Sequence, residues 1–252
     1  MQPSEKDVLS RELAYHEQLY SGFAQRHFAR PAVRALREHM ALRVLKETGA
    51  WGRSRVLSLG CGIGDTELLI AQQVHEVVGI DLSLAGIRQA RDDAARLGVT
   101  NARFEQGETP PDGPFDVVMA IFFLHHLSDS ALAALPRRVR QWLRPGGVFY
   151  SLDPSRYRLS GTIGRRLLPG LMKRYQTPDE RELDPEETAA LFRDAGFQVQ
   201  VDMYDFGSTP LAGLLPGWRA GYRAARALDD WVLRIGALRR RGSNFELVAK
   251  PV

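Results

Sequence analysis

A strand pattern that runs directly into a glycine-rich turn most constrains how this chain can fold. Residues 56–65 read VLSLGCGIGD, in which a mostly apolar run leads into Gly60, Gly62 and Gly64, and Asp65 follows. A parallel strand that ends in a glycine turn brings its backbone close to a ligand at its carboxyl end. The stretch therefore predicts a ligand-binding turn between a first strand and the helix that starts at Asp65.

The residues around this turn alternate between strand and helix patterns. Residues 5–50 are predicted as helical, with Pro31 in a first-turn position. The predicted strands are Arg55–Leu59, His75–Asp81, Ala102–Gln106, Phe115–Phe123 and Val148–Asp153, and the predicted helices are Asp65–Gln73, Leu84–Leu97 and Asp129–Leu143, the last restarting at Pro136. Strands and helices that alternate with short connections favour a parallel sheet covered on both faces.

The C-terminal part has a different pattern. Asp184 is a good N-cap, with Pro185 at the first helical position and Glu187 completing a capping box. A strand is predicted over Phe197–Phe206 and a last one over Asn244–Lys250, with no ordinary crossover helix between them. We therefore expect these two strands to form an antiparallel pair.

Composition limits the class of protein. The single cysteine, Cys61, leaves no basis for a disulfide or a cysteine metal cluster, and we expect no metal. The longest apolar run, Val117–Leu124, is well short of the ~20 residues of a membrane span. The N-terminus is polar and unlike a signal peptide, so we expect a soluble cytoplasmic protein. A net charge of +4 permits an anionic partner without requiring one, and oligomeric state is not indicated.

The glycine spacing alone is ambiguous, and Asp81 makes it more specific. Gly60, Gly62 and Gly64 give G-x-G-x-G, whereas a dinucleotide fingerprint has its third glycine where Asp65 stands. Asp81 ends the second strand, where a carboxylate can accept both ribose hydroxyls of a nucleoside. No lysine follows in the manner of a triphosphate-binding loop. The pattern favours a nucleoside cofactor without pyrophosphate over a dehydrogenase or a turn that serves packing alone.

Four motifs in order carry a family resemblance. VLSLGCGIG, VVGIDLS, FDVVMAIFFLHHL and WLRPGGVFYSLDP resemble the successive motifs of class I S-adenosylmethionine-dependent methyltransferases over about residues 52–153, and DPEETAALFRDAGF with the final strand extends the likeness to the end. The resemblance implies an α/β fold with a doubly wound, mostly parallel, seven-stranded Rossmann-like sheet whose last strand is antiparallel. It also implies S-adenosylmethionine as cofactor and S-adenosylhomocysteine as product.

The resemblance further implies one domain over residues 1–252. Its parts would be a helical cap (1–50), a cofactor-binding core (51–153) and two substrate-side insertions (154–182 and 207–243). The implied cofactor-binding residues are Gly60, Cys61, Gly62 and Gly64 under the methionine part, Asp81 at the ribose, Leu82 and Glu108 at the adenine, Ala120 on the methionine side, and Asp65 capping the helix and contacting the amine through water.

Catalytic and substrate-binding residues are expected at the mouth of the fourth and fifth strands. His125 or His126 has the right pKa to deprotonate a phenol or enol, although a structural role is the alternative for both. Asp153 could contact substrate or cap the following turn. Tyr15, His16 and Tyr20 lie on the N-terminal helix, which in related enzymes folds over the pocket, and they could contact substrate or belong to the core.

The two insertions suggest the kind of substrate. Residues 156–175 are basic with interleaved apolar residues, a pattern that could contact a membrane surface or a lipid-like anion weakly, or form a solvated lid that becomes ordered when substrate binds. Trp218, Tyr222 and Trp231 in the second insertion suggest an aromatic cover over a small, greasy substrate.

A nucleic-acid substrate is the main rival. Base N-methyltransferases of this fold usually carry Asn/Asp-Pro-Pro-aromatic after the fourth strand, where this chain has AIFF. Cytosine C5 enzymes need a nucleophilic cysteine outside the glycine turn, and Cys61 lies inside it. We therefore expect methylation of a small-molecule metabolite, with O-methylation of a hydroxyl or phenol ahead of N- or C-methylation. An RNA methyltransferase, and a cofactor-binding protein with altered or no methyl-transfer chemistry, remain the alternatives.

Overall fold

The computed structural model describes residues 5–20, 29–161 and 181–252. Residues 162–175 of the basic segment lie outside the described residues, as does the side chain of His16, so the expectations about them stay predictions.

A seven-stranded mixed sheet forms the centre of the protein, in the order β3-β2-β1-β4-β5-β7-β6. The strands are β1 (Arg55–Leu59), β2 (Glu76–Asp81), β3 (Ala102–Gln106), β4 (Phe115–Ile121), β5 (Leu143–Pro154), β6 (Phe197–Asp205) and β7 (Asn244–Pro251). The pairs among β1 to β5 are parallel, and β7 is antiparallel to both β5 and β6. The predicted sheet and its antiparallel last strand are confirmed.

Helices cover the sheet. They are α1 (Glu5–Gln18), α2 (Pro31–Thr48), α3 (Asp65–Ala71), α4 (Leu84–Leu97), α5 (Asp129–Trp142), α6 (Pro185–Asp194), α7 (Ser208–Leu214), α8 (Arg219–Val232) and α9 (Gly236–Arg239), and a 3₁₀ turn spans Leu124–His126. Side chains cap α4 and α6, and the predicted N-cap Asp184 is one of them. The Ser83 hydroxyl accepts from the Gly86 N–H at the start of α4, and the Asp184 carboxylate accepts from the N–H groups of Glu186 and Glu187 at the start of α6.

Several element boundaries differ from the prediction, most of them by one or two residues. β4 ends at Ile121 instead of Phe123, because Phe122 adopts a left-handed backbone conformation with φ 53° that turns the chain out of the sheet. β5 begins at Leu143, which pairs with Phe115 across an irregular register, so the RPGG stretch lies within a strand. α5 continues through Pro136, whose ring nitrogen cannot donate to the Leu132 carbonyl. Buried neighbours on both sides of Pro136 hold the helix together.

Alternation along the strands separates the hydrophobic core into two faces. Val56 and Val117 point to a cluster shared with α2, α3, α7 and α8, whereas Leu57 and Val118 point to a cluster shared with α5 and α6. Each fully buried large apolar side chain contributes about 1.5–3 kcal/mol. Both faces of the central strands are thus covered, and the carboxyl ends of these strands are left to form a site.

The long connection between β6 and β7 folds back onto α2. Its helices α7 and α8 pack against α2, and Tyr222 is buried in the same cluster as Met40. Trp218 and Trp231 remain exposed.

Candidate active site

The turn after β1 has a backbone that a side chain would obstruct. Gly62 has φ 53°, and a Cβ atom there would lie 2.6 Å from the Tyr20 hydroxyl. A Cβ atom on Gly60 would lie 2.3 Å from the Phe123 ring. The N–H groups of Gly60 and Cys61 both donate to the Ile80 carbonyl, at 2.9 and 3.1 Å. The turn is therefore fastened to the end of β2, and its glycines let the Tyr20 hydroxyl and the Phe123 ring lie close to its backbone.

Asp81 joins the two strand ends. Its Oδ2 accepts from the Gly62 N–H and its Oδ1 from the Ser83 N–H, each at 2.8 Å. The side chain is only partly buried and lines a cavity. A carboxylate held by backbone donors at a cavity wall is oriented in advance to accept hydrogen bonds from a ligand.

The cavity in front of this turn has a volume of about 430 Å³, within the range of small-molecule sites. It is lined by Leu13, Tyr20, Leu59, Gly60, Ile80, Asp81, Leu82, Gly107, Glu108, Phe122, Phe123, His126, Leu127, Ser128, Ser130, Ala131, Leu135, Arg138 and Trp142. Its walls are mainly apolar, with a few polar groups at defined places. A more open depression of about 820 Å³ lies between α5 and α6, but it does not include the glycine turn.

Predicted cofactor residues fall into two groups. Gly60, Asp81, Leu82 and Glu108 line the cavity. Those that lie behind its surface are Cys61, Gly62, Gly64, Asp65 and Ala120, with Ala120 fully buried in β4. Burial also raises the pKa of the Cys61 thiol well above its usual range, so this thiol is not a ready nucleophile.

The two predicted histidines occupy different positions. His125 is buried, and its Nδ1 lies 2.8 Å from Oδ1 of Asp153, which is itself fully buried. His126 is half-buried and lines the cavity, with its ring centroid 4.0 Å from that of His125. The structure thus places His126 at the cavity, and it places His125 and Asp153 together behind the cavity wall.

Tyr20 lines the cavity, whereas Tyr15 does not. Burial, followed by the nearby charge of Asp81, raises the pKa of the Tyr20 phenol. The α1 helix is held over the site by Glu17, whose carboxylate accepts from the Ser83 hydroxyl at 2.9 Å and from the Ala85 N–H at 3.2 Å. The predicted cover by Trp218, Tyr222 and Trp231 is not seen at this cavity, because none of the three lines it.

One wall of the cavity was missed by the sequence-based prediction. Ala131, Leu135, Arg138 and Trp142 lie on one face of α5, at spacings of four, three and four residues. This helical periodicity was available as a signal. Arg138 packs over the Trp142 ring at 5.2 Å and donates to the Glu108 carbonyl at 2.8 Å.

A cationic side chain beside the glycine turn was also missed. The Arg37 Nε lies 2.9 Å from Oδ2 of Asp65, and its guanidinium carbon lies 5.9 Å from the centroid of the Phe122 ring. α2 carries several arginines in its sequence, so only the packing of α2 against α3 distinguishes Arg37 from the others. It brings a positive charge to the end of the site where Asp65 begins α3.

The described residues contain neither a metal-ion site nor a membrane-spanning helix. Residues 5–20, 29–161 and 181–252 contain no group of three or more His, Cys, Asp or Glu side chains that could hold a metal ion. Among the same ranges, no helix is both long and apolar enough to cross a membrane.

Comparisons with known proteins agree with this geometry. Residues 25–201 match the model of a methyltransferase domain family, which is more than half of the chain. A probable S-adenosylmethionine-dependent methyltransferase of Mycolicibacterium smegmatis is 32% identical over 63% of this chain and 58% of its own length. A ubiquinone biosynthesis O-methyltransferase of Pseudomonas paraeruginosa is 33% identical over 58% of this chain and 65% of its own length. The chain thus spans less than two thirds of either relative.

A solved structure extends the likeness to nearly the whole fold. The magnesium protoporphyrin IX methyltransferase of Synechocystis, with S-adenosylhomocysteine bound, superposes with a TM-score of 0.64 over 96% of this chain and 100% of its own. At 15% identity this likeness concerns the fold alone.

Proposed function

The chain belongs to the methyltransferase domain family, and from this premise we propose that it is an S-adenosylmethionine-dependent enzyme that methylates a small-molecule acceptor. O-methylation of a hydroxyl or phenol on a hydrophobic metabolite is the form that the cavity supports best. When bound, S-adenosylmethionine supplies a methyl group already activated by its sulfonium.

One observation carries the proposal. The Asp81 carboxylate and Gly60 line the same apolar cavity of about 430 Å³, and Asp81 holds the turn behind it through the Gly62 N–H. A nucleoside bearing a sulfonium and an amino acid group, but no phosphate, suits a carboxylate in a mainly apolar cavity better than a basic cradle. The absence of side chains at Gly60 and Gly62 lets the Phe123 ring and the Tyr20 hydroxyl lie against the turn, and Gly60 and Asp81 remain at the cavity, where such a group would bind.

The cofactor-binding roles follow from where each residue lies. Asp81 would accept the ribose hydroxyls, and Leu82 and Glu108 would lie against the adenine. The turn from Gly60 to Gly64 would pass beneath the methionine part, with Asp65 and Ala120 behind it. Arg37 adds a positive charge near the expected position of the methionine carboxylate.

Binding and deprotonation of the methyl acceptor would depend on His126 and on the apolar walls of the cavity. His126 is the histidine that lines the cavity, and it lies beside the ring of His125. A hydroxyl nucleophile must lose its proton, and a positioned base contributes about 10²–10⁴-fold to that step. The cavity has an apolar surface suited to an aromatic or other hydrophobic acceptor, formed by Leu13, Phe122 and Phe123. Positioning of the two reactants supplies the larger share of the rate enhancement.

The direct test is transfer of a labelled methyl group. The purified chain is incubated with methyl-labelled S-adenosylmethionine, at a concentration that saturates the unaltered chain but not Asp81→Ala, and with either a small-molecule extract or total RNA. Asp81→Ala serves as the weak-binding control. We expect label in extractable small molecules with the unaltered chain and little with the variant. Label that enters RNA alone would overturn the small-molecule assignment, and cofactor binding without transfer to either pool would indicate altered chemistry.

The base is tested by comparing the two histidines. His126→Ala should lower turnover about 10²-fold or more and remove the ascending limb of the pH–rate profile near neutrality, with cofactor affinity unchanged. A loss below threefold would instead indicate a proximity-only mechanism, as expected for an amine acceptor. His125→Ala, which removes the partner of Asp153, should act mainly on stability.

A further inference from the structure

An exposed apolar face that does not line the cavity lies on the C-terminal part of α8 and just beyond it. The inner side of α8 is buried through Tyr222, Asp229 and Val232. On its outer side and just beyond it, Leu228 is 57% exposed, Trp231 61% and Ile235 39%. Burying large apolar side chains is ordinarily favourable, so a cluster of them held in water indicates a surface that contacts something else.

Arginines without ion pairs lie on α8 and in the residues that follow it. Arg223, Arg234, Arg240 and Arg241 are all exposed, and among the described residues none of them forms an ion pair. Their neighbours Arg219, Arg226 and Arg239 are paired instead, with Glu38, Asp230 and Asp202 respectively. We call the surface formed by Leu228, Trp231, Ile235 and the four unpaired arginines the α8 face.

Hydrogen bonds place one end of the α8 face at the same sheet edge as the cavity. The Asp229 carboxylate accepts from the N–H groups of Gly207 and Ser208, just after the carboxyl end of β6. The Arg241 carbonyl accepts from the Leu159 N–H, just after the carboxyl end of β5. β6 and β5 are parallel to each other because each is antiparallel to β7. The carboxyl ends of β5 and β6 therefore lie on the edge where the glycine turn and Asp81 are found.

We propose that the α8 face binds the surface of an anionic lipid membrane. Tryptophan is well suited to the interface between headgroups and acyl chains, and leucine and isoleucine add apolar contact area. Arginines near the surface are attracted to anionic headgroups. Bound in this way, the protein would lie on the membrane, with the sheet edge that carries its cavity toward the bilayer.

A second copy of the chain fits this face less well. In a two-fold symmetric interface the same patch meets itself, so its unpaired arginines would be brought close to their own copies. The face offers them no carboxylate, since Asp230 is already paired with Arg226. The charge of the α8 face is thus complementary to anionic headgroups and not to itself.

Vesicle flotation of the full chain tests the proposal. We expect binding to phosphatidylcholine vesicles that contain phosphatidylglycerol, little binding to phosphatidylcholine alone, and weakening at high salt. Removing three charges in Arg234→Gln/Arg240→Gln/Arg241→Gln should reduce partitioning on the order of a hundredfold, at about fivefold for each charge. Leu228→Ser/Trp231→Ser should also reduce it, and should abolish any blue shift of tryptophan fluorescence on binding.

Matched controls use exposed residues elsewhere. Trp51→Ser changes a tryptophan that is 50% exposed near the amino end of β1, and Arg53→Gln/Arg88→Gln/Arg137→Gln removes the same charge from exposed sites. Both should bind vesicles nearly as the unaltered chain does. Equal losses in the control and α8-face variants, or no vesicle binding at all, would overturn the proposal. So would a dimer in sedimentation that Leu228→Ser/Trp231→Ser converts to monomer.

Discussion

The ends of β2 and β5 carry the same residue type at the same edge of the sheet, and the structure uses them differently. Asp81 is partly exposed, faces the cavity and accepts from two backbone N–H groups. Asp153 is fully buried and hydrogen-bonds to His125, with its Oδ1 2.8 Å from the imidazole Nδ1. One carboxylate can exchange its partners for those of a ligand, whereas the other is committed to the protein interior.

The difference shows that burial and hydrogen-bond partner, more than strand position, separate an acid at the cavity from one held in the protein interior. Burial raises the pKa of Asp153, and the hydrogen bond from His125 acts in the opposite direction. A buried carboxylate of this kind is stable only while its partner is present. Removing each acid in turn tests this difference.

Asp153→Ala should have the largest effect. It leaves the buried His125 without its partner, and breaking a buried pair costs about 3–5 kcal/mol. For a chain of this size the melting temperature should fall by about 6–20 °C in calorimetry. Asp153→Asn, which can keep the hydrogen bond to His125, should lower the stability less. The exposed Asp92→Ala should leave the free energy of unfolding within about 0.5 kcal/mol of that of the unaltered chain. A melting temperature unchanged in Asp153→Ala would mean that this pair contributes nothing to the fold.

Glu67 on α3 is also a buried carboxylate, but its hydrogen bond comes from the neutral Ser58 hydroxyl at 2.6 Å. Burial raises the pKa of Glu67 from 4.5 to about 7. The unfolded chain therefore releases this proton at a lower pH than the folded one, so its contribution to stability is complete below pH 4.5 and lost as the pH rises to about 7.

The test is denaturant unfolding at acidic and neutral pH. Glu67→Gln stays neutral and should remove a pH-dependent loss of about 3 kcal/mol at most. The exposed Asp92→Asn should leave the profile of stability against pH unchanged. If the free energy of unfolding depends on pH in the same way for Glu67→Gln and the unaltered chain, Glu67 is already ionised in the folded state.

Asp81→Ala should act on the ligand more than on the fold. Loss of charge-assisted hydrogen bonds worth about 1.5–3 kcal/mol weakens cofactor affinity roughly ten- to hundredfold. Titration calorimetry with S-adenosylhomocysteine measures this, and NAD should bind to neither form. If the variant binds S-adenosylhomocysteine as tightly as the unaltered chain does, Asp81 does not contribute to cofactor binding.

Glu17→Ala should give the smallest change. Its carboxylate joins α1 to the start of α4 through Ser83 and Ala85. Losing about 0.5–1.5 kcal/mol of hydrogen bonding there should weaken cofactor affinity by about two- to tenfold, because α1 carries Leu13, which lines the cavity. Glu17→Gln keeps an acceptor oxygen, so its cofactor affinity should lie between those of Glu17→Ala and the unaltered chain. An unchanged affinity would mean that α1 does not contribute to cofactor binding.

Much of the fold was predictable because its signals are local. β1, β3 and α4 have the bounds expected from periodicity, and the caps at Ser83 and Asp184 act as their residue types suggest. The boundaries that failed depend on distant partners. β5 begins early because Leu143 pairs with Phe115, and no pattern within residues 143–147 indicates that.

The sequence by itself determined the order of strands and helices, the glycine turn and the acid at the end of β2, since each is a property of residues close together in the chain. Only the tertiary structure decided which side chains at the sheet edge meet the cavity. It separated His126 from His125 and Asp81 from Asp153, and it brought Arg37 beside Asp65. The physical reason is that burial and hydrogen-bond partners come from elements far apart in sequence, so residues of one type and one strand position acquire different chemistry.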